Sequence, residues 1–172
     1  EKMEQPAAGE QTVSFTVELP SVQTRAFMGT VSKVDELVYE VWKTENPKET
    51  NLLDPKSNSV RLYQKTVDLF PLPHHDGKMG TSITLDLVQD QEYTILFWAQ
   101  KKGEGAYNTE QLTNVTYKEK DLKNGYLSNN ENMAAFYNVD FVSDEDPKAK
   151  SITLYRPFAQ LNLGTENTSR EY

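Results

Sequence analysis

The sequence predicts an all-β protein, an antiparallel β-sandwich of about seven short strands with one or two short helical turns. Its apolar residues occur mainly in short runs that alternate with polar residues, which is typical of strands with one buried face. Residues that favour turns separate these runs, and the sequence shows no heptad pattern, internal repeat or long amphipathic helix.

The first predicted strand runs from Thr12 to Leu19. Side chains two residues apart point to the same face of a strand, so the alternation predicts one buried apolar face. Pro20 ends the pattern, and a polar loop follows it. The polar segment 1–11 is interpreted as a flexible tether, which leaves 12–172 for the sandwich domain. The apolar residues of this strand are Val13, Phe15, Val17 and Leu19.

Four further strands are predicted in the middle of the chain. The last of them is apolar at both odd and even positions, which indicates a central strand that is buried on both faces. Two long stretches rich in proline and polar residues, 46–59 and 70–80, are predicted to be loops. A single helical turn is predicted at Thr109–Leu112 and another after Ser128. The four strands are Glu36–Lys43, Val60–Val67, Thr81–Val88 and Glu92–Gln100.

The end of the sequence predicts a strand with a bend. Ile152 and Leu154 are apolar at even positions, whereas the apolar residues from Ala159 onward are at odd positions. A one-residue shift turns every later side chain to the opposite face, so a bulge or bend near Arg156–Pro157 is expected. Such a bend is common where a strand passes from one sheet of a sandwich to the other.

Composition and charge exclude several classes of function. The net charge is −8 and the 18 basic residues are scattered along the chain. Nucleic acids and anionic membrane surfaces bind clustered Lys and Arg, so neither is predicted as a partner. The sequence contains no cysteine, which excludes disulfides, thiolate metal sites and a cysteine nucleophile. No apolar run approaches the roughly 20 residues of a membrane-spanning helix.

No motif in the sequence predicts catalysis. His74 and His75 are the only histidines, and they are adjacent in a proline-rich stretch beside Asp76. An exposed turn is favoured there over a weak surface metal site. The acidic stretch Ser143–Pro147 lacks the spaced ligands and the glycine of an EF-hand loop. Because serine-hydrolase and phosphate-binding signatures are also absent, we predict no enzyme, cofactor or metal site.

Two tryptophans leave an alternative open. Trp42 and Trp98 occupy strand positions off the main apolar parity. Exposed on one face of a sheet, such rings would make a carbohydrate-binding platform; buried, they would complete a second layer of the core. A carbohydrate-binding surface module with exposed aromatics is therefore an alternative function for this domain.

Several stretches, in this order, resemble the N-terminal domain of the fimbrillin family. They are VSFTVELP followed by TRA near the start, YTILFWAQ in mid-chain, and AFYNVDFV followed by LYRPFAQLNLGT towards the end. Fimbrillins are pilin-like surface proteins of Bacteroidetes that belong to the type V fimbria group. The matching stretches are spread over nearly the whole sequence.

The resemblance implies a transthyretin-like N-terminal β-sandwich in a longer, two-domain protein that is exported as a lipoprotein and anchored to the outer membrane at the cell surface. It implies a structural or adhesive subunit whose partners are other fimbrial subunits, with host proteins or glycans as further partners left open. In polymerising members, an arginine-specific protease cuts the loop after the first strand, and Arg25 followed by Ala26 matches this position. The first strand, with Val13, Phe15, Val17 and Leu19, would then leave its groove to a donor strand.

Overall fold

The computed structural model describes residues 9–21, 34–44, 59–103, 107–118 and 134–157. Within these ranges, the two larger sheets have four strands each and their inner faces enclose one apolar core. The prediction of an all-β sandwich is confirmed. In chain order the strands are β1 (Glu10–Glu18), β2 (Glu36–Thr44), β3 (Ser59–Asp68), β4 (Phe70–Pro71), β5 (Met79–Val88), β6 (Glu92–Gln100), β7 (Tyr107–Asn108), β8 (Thr116–Tyr117), β9 (Ala135–Val142) and β10 (Ala149–Thr153).

The first sheet has the order β10-β1-β5-β4 and the second has the order β3-β2-β6-β9, while β7 and β8 form a small separate ladder. One ladder departs from the predicted antiparallel pattern, because β10 lies parallel to β1. The chain reaches β10 from the opposite sheet, through the turn that follows β9. That crossing lets the last described strand run beside the first in the same direction.

Apolar side chains on the inner faces of both sheets make the core. The period-two pattern of β1 is confirmed, since Val13, Phe15, Val17 and Leu19 are each at most 1% exposed. Phe15 meets Phe97 of β6 with ring centroids 5.8 Å apart and planes tilted by 59°. The contact ties the middle of one sheet to the middle of the other.

The central position predicted for β6 is confirmed, because β6 lies between β2 and β9 and is buried on both faces. Its outer face is covered by the segment 107–118. Trp98 stacks edge-on against Tyr107, with ring centroids 5.1 Å apart, and Leu112 and Val115 pack on the same cluster. A second, smaller apolar layer therefore lies outside the sandwich.

The irregular parts differ from the predictions in detail. The predicted loop 70–80 contains β4, a two-residue edge strand in which proline is tolerated because one side of its backbone needs no ladder partner. The helical turn predicted at Thr109–Leu112 is a 3-10 turn at Leu112–Asn114. The turn predicted after Ser128 lies outside the described residues. The described part of the chain holds no helix long and apolar enough to cross a bilayer.

The predicted bend between the sheets begins after β10. Leu154 is buried in the core, whereas Tyr155 pairs with Tyr137 of β9 in the opposite sheet. The chain therefore moves from one sheet to the other within two residues. The apolar positions from Ala159 onward, where the change of phase was predicted, lie outside the described residues.

Candidate functional site

The first strand occupies the interior of a sheet. Each residue of β1 from Glu10 to Glu18 has a partner in β5, in an antiparallel ladder. The residues from Ser14 to Glu18 also have partners in β10, in a parallel ladder. Because β1 is hydrogen-bonded along both edges, its departure would open a groove walled by β5 and β10 and floored by the core.

The C-terminal end of β1 is held by a partly buried carboxylate. Oε2 of Glu18 lies 3.2 Å from Nδ1 of His75, and Oε1 lies 3.7 Å from Nζ of Lys78. The hydroxyl of Thr153 in β10 donates to Oε1 at 3.4 Å. Glu18 therefore joins β1 to the β4–β5 turn and to β10, at the point where the chain leaves the sheet.

The two adjacent histidines lie in an exposed turn, as the sequence analysis favoured. His74 and Asp76 both have positive φ values, 63° and 55°. His75 points back to Glu18. Among the described residues, no group of three or more His, Asp or Glu side chains is arranged to hold a metal ion.

The N-terminal end of β1 has a second polar attachment. Gln11 is buried, and its Nε2 donates to Oδ1 of Asp144 at 2.9 Å. The ammonium of Lys148 donates to the amide oxygen of the same glutamine. Asp144 also accepts from the backbone N–H of Asp90 at 2.6 Å. The acidic turn 143–147 thus fastens β1, and the strand begins at Glu10, inside the segment 1–11 interpreted as a tether.

Gly80 allows β1 and β5 to approach closely. A Cβ atom built on Gly80 would lie 2.4 Å from the carbonyl oxygen of Val17 and 2.5 Å from Cδ1 of Leu72. Both distances are much shorter than the non-bonded contacts that a Cβ atom makes in proteins, so only glycine fits without a shift of β1 or of the turn after β4. The position forms part of the groove wall near Glu18.

Strand β10, which would form one wall of the groove, also has contacts that do not involve β1. Nζ of Lys150 forms an ion pair with Asp140 at 2.7 Å and donates to the carbonyl oxygen of Phe141 at 3.1 Å, both in β9. The backbones of Tyr137 and Tyr155 exchange two hydrogen bonds, of 2.7 and 2.9 Å. β10 is therefore tied to the opposite sheet independently of its ladder with β1.

The predicted site residues divide into two groups. The apolar residues of the first strand lie together in the core, as predicted. Arg25 and Ala26 lie outside the described residues. β1 ends in one sheet, and the chain is described again at Val34, just before β2 in the other sheet. The stretch 22–33, which contains Arg25, therefore links β1 in one sheet to β2 in the other.

A buried charge on β2 was not predicted from the sequence. Glu40 is 0% exposed, and its carboxylate accepts from Trp42 Nε1 at 3.0 Å, Gln64 Nε2 at 2.9 Å and the backbone N–H of Leu112 at 3.0 Å. Glu40 shares its strand face with Glu36, Val38 and Trp42, and this mixed pattern gives no sign that the charge is buried. The segment 107–118 covers that face, and a cover so distant in sequence leaves no periodic signal.

A family model described as Family of unknown function (DUF6562) matches residues 4–171. The chain belongs to the DUF6562 family. No curated protein matches it. The DUF6562 match includes all ten described strands and Arg25, so β1 and the chain that follows it lie within the boundaries of the family.

Proposed function

We propose that this chain is a structural or adhesive subunit of a bacterial surface fimbria, in which proteolytic removal of β1 opens a groove for a donor strand from another subunit. One observation carries the proposal. β1 is an interior strand, paired with β5 along its whole length and with β10 from Ser14 to Glu18, and four buried apolar side chains lie on it or directly after it, at Val13, Phe15, Val17 and Leu19. The chain continues from its C-terminal end towards Arg25. A replacement strand with the same alternation would regain both ladders and all four apolar sites.

The energetics explain why such exchange needs a protease. Burial of four apolar side chains stabilises the seated strand by about 6 to 12 kcal/mol before ordering costs are subtracted. While Arg25–Ala26 is intact, the strand is tethered to its own groove at a high effective concentration. Cleavage of that bond removes the tether at its C-terminal end, so a donor strand can compete for the groove.

The surroundings of β1 also suit this role. Lys150 and the Tyr137–Tyr155 pair hold β10 against β9, so the wall keeps its place when its ladder partner leaves. The resemblance to fimbrillins supplies the rest of the proposal: lipid anchoring to the outer membrane, assembly into fimbriae and no catalytic role. Host proteins or glycans would be contacted by the assembled surface.

Limited digestion of the folded protein with an arginine-specific protease tests the proposal. Intact mass should show one fast cut after Arg25, with residues 1–25 still bound. A mass-labelled peptide with the sequence of residues 10–19 should then replace that fragment. The control peptide carries serine at the three positions that match Val13, Phe15 and Val17, and it should not bind. Resistance at Arg25, or a cut protein that exchanges neither peptide, would contradict the proposal.

The carbohydrate-binding alternative is supported by a smaller feature. Tyr137 and Phe141 are 44% and 41% exposed on the same side of β9, where aromatic rings are available to a sugar. Trp98 argues against an aromatic row, because it is 6% exposed and covered by Tyr107. Trp42 is half-buried, and its N–H donates to Glu40. Loss of glycan binding in Tyr137→Ala would favour this alternative.

A further inference from the structure

A polar cavity lies on the outer face of the second sheet, away from β1. Its volume is about 350 Å³, near the small end of the range of ligand sites in proteins. Three neighbouring strands line it with Glu36, Gln64 and Gln100. The segment 107–118, the covering layer of this sheet, lines it with residues 107–110 and Lys118. The lining is mainly polar, so a ligand with many hydrogen-bonding groups fits it better than an apolar one.

The amide of Gln100 is held in one orientation. Its oxygen accepts from the indole N–H of Trp98 at 3.1 Å, and its nitrogen donates to Oε2 of Glu36 at 3.2 Å. Gln100 is only 7% exposed, so rotation of the amide would break both bonds in a place with little water. One amide N–H and Oε1 of Glu36 have no hydrogen-bond partner among the described residues. The second N–H of the Gln100 amide and Oε1 of Glu36 therefore place a hydrogen-bond donor and an acceptor side by side.

The covering layer supplies a third fixed group. Oδ1 of Asn108 accepts from the backbone N–H of Glu110 at 3.1 Å, which sets the orientation of the Asn108 side chain. Its amino group has no hydrogen-bond partner within the described ranges, and the side chain is exposed. Tyr107 lines the same cavity, and its ring is fixed by its contact with Trp98. Planar amides, a carboxylate and an aromatic ring thus meet at one cavity.

These groups match the chemistry of sugar hydroxyls. A hydroxyl both donates and accepts, so it can bridge a carboxylate such as Glu36 and an amide N–H such as that of Asn108. The side-chain charges also disfavour an anion, because Glu36 and Glu110 outnumber Lys118 in the lining and the whole chain carries −8. A neutral ligand with several hydroxyls can bind these groups without bringing a further charge into the cavity.

We infer that this cavity binds a neutral saccharide of one or two hexose units, with Glu36, Gln100 and Asn108 holding its hydroxyl groups. The inference goes beyond the proposed function and does not depend on it, because the site lies on the sheet that keeps all its strands when β1 leaves. It also differs from binding on exposed aromatic rings, since Tyr137 is not among the residues that line the cavity.

NMR titration of the uncleaved protein tests the inference. The probes are glucose, galactose, mannose and N-acetylglucosamine, together with lactose, maltose and cellobiose. At least one should shift the side-chain amide signals of Gln100 and Asn108 in a saturable way. Asn108→Ala and Glu36→Gln should each weaken that binding by about tenfold or more, since each removes a fixed hydrogen bond to the ligand.

Two control variants separate this site from others. Glu145→Gln changes an exposed acid in a distant turn, and Tyr137→Ala removes an exposed ring on the same sheet; both should bind the sugar as the parent does. Thermal unfolding midpoints confirm that each variant is folded. No saturable shift with any of the seven sugars would overturn the inference. Full affinity in both Asn108→Ala and Glu36→Gln, or loss of affinity in Tyr137→Ala alone, would overturn it too.

Discussion

Nη1 of Arg61, on the edge strand β3, lies 3.1 Å from Oε2 of Glu40, a carboxylate with no exposed surface. The same guanidinium nitrogen donates to the carbonyl oxygen of Glu110 at 2.8 Å, and Gln64 donates to the carbonyl oxygen of Thr109 at 2.8 Å. Two side chains of β3 therefore bridge a buried charge to the covering layer. This arrangement explains how a layer with only four ladder residues stays in place over β6.

Arg61→Ala is expected to lower the free energy of unfolding by about 3 kcal/mol, because it leaves the Glu40 carboxylate buried without its cation. Denaturant unfolding measures the change. Lys65→Gln serves as the control, since it removes an exposed cation from the same strand and should change stability by less than about 1 kcal/mol. Equal effects of the two substitutions would contradict a special role for the Arg61–Glu40 pair.

Phe15→Ala and Glu18→Gln separate the two ways in which β1 is held. The first substitution removes a fully buried ring from the core and is expected to cost about 3 to 5 kcal/mol. The second removes a charge that is partly open to water, so its effect on stability should be about 1 kcal/mol or less. Chemical denaturation gives both values. A larger loss in Glu18→Gln than in Phe15→Ala would show that polar attachment dominates the seating of β1.

Gly80→Ala is expected to lower stability by about 1 to 3 kcal/mol through overpacking against Val17 and Leu72. The effect should be local, so hydrogen exchange at the β1 amides should accelerate more than exchange at those of β6. Ser82→Ala, at an exposed position of the same strand, is the control and should leave both rates nearly unchanged. Uniform acceleration across both sheets would argue against a local clash.

The stability should fall in alkali because of a buried tyrosine. Burial raises the pKa of Tyr39 above its usual 10.0 in the folded protein, whereas the unfolded chain titrates near 10.0. The contribution of Tyr39 to the free energy of unfolding is therefore fully present below pH 10.0, and it is lost as the pH rises through the folded-state pKa. Burial also raises the pKa of Tyr63, which adds a change of the same sign.

Unfolding measured between pH 9 and 11 checks this dependence, with each value compared at the same ionic strength. Tyr39→Phe should flatten the decline above about pH 10, since phenylalanine does not titrate. Tyr155→Phe, at a position that is largely exposed, should decline as the parent does. An identical slope in the parent and in Tyr39→Phe would rule out this tyrosine as a cause.

The features that were predicted correctly from the sequence are those that local residue patterns determine. Alternation placed Val13 and Phe15 in the core, and the continuous apolar run identified β6 as central. It did not predict the parallel pairing of β1 with β10, because residues so distant in sequence leave no shared pattern. Glu40 was missed for a related reason: its burial comes from a layer that follows β6 in the chain.

The same limits apply to the candidate sites. Alternation predicted the buried face of the first strand, and its removal is a proposal that rests on the resemblance. Gln11 and Glu18, which fasten the ends of this strand, look like ordinary polar residues in the sequence. Their partners come from two turns and from β10, at 57 to 135 residues along the chain, and only the folded sheet brings them together. The polar cavity escaped prediction because Glu36, Gln100 and Asn108 belong to three separate segments.

The parallel ladder between β1 and β10 also affects how the protein reaches its fold. Glu18 and Thr153 are 135 residues apart. The first sheet is therefore complete only when β10, the last described strand, has paired with β1. Such long loop closures slow folding to about milliseconds to seconds in all-β domains. A nascent chain that lacks β10 would expose one edge of β1 throughout its synthesis. Chaperone capture during this interval is therefore expected to affect the yield of folded protein more than the final stability does.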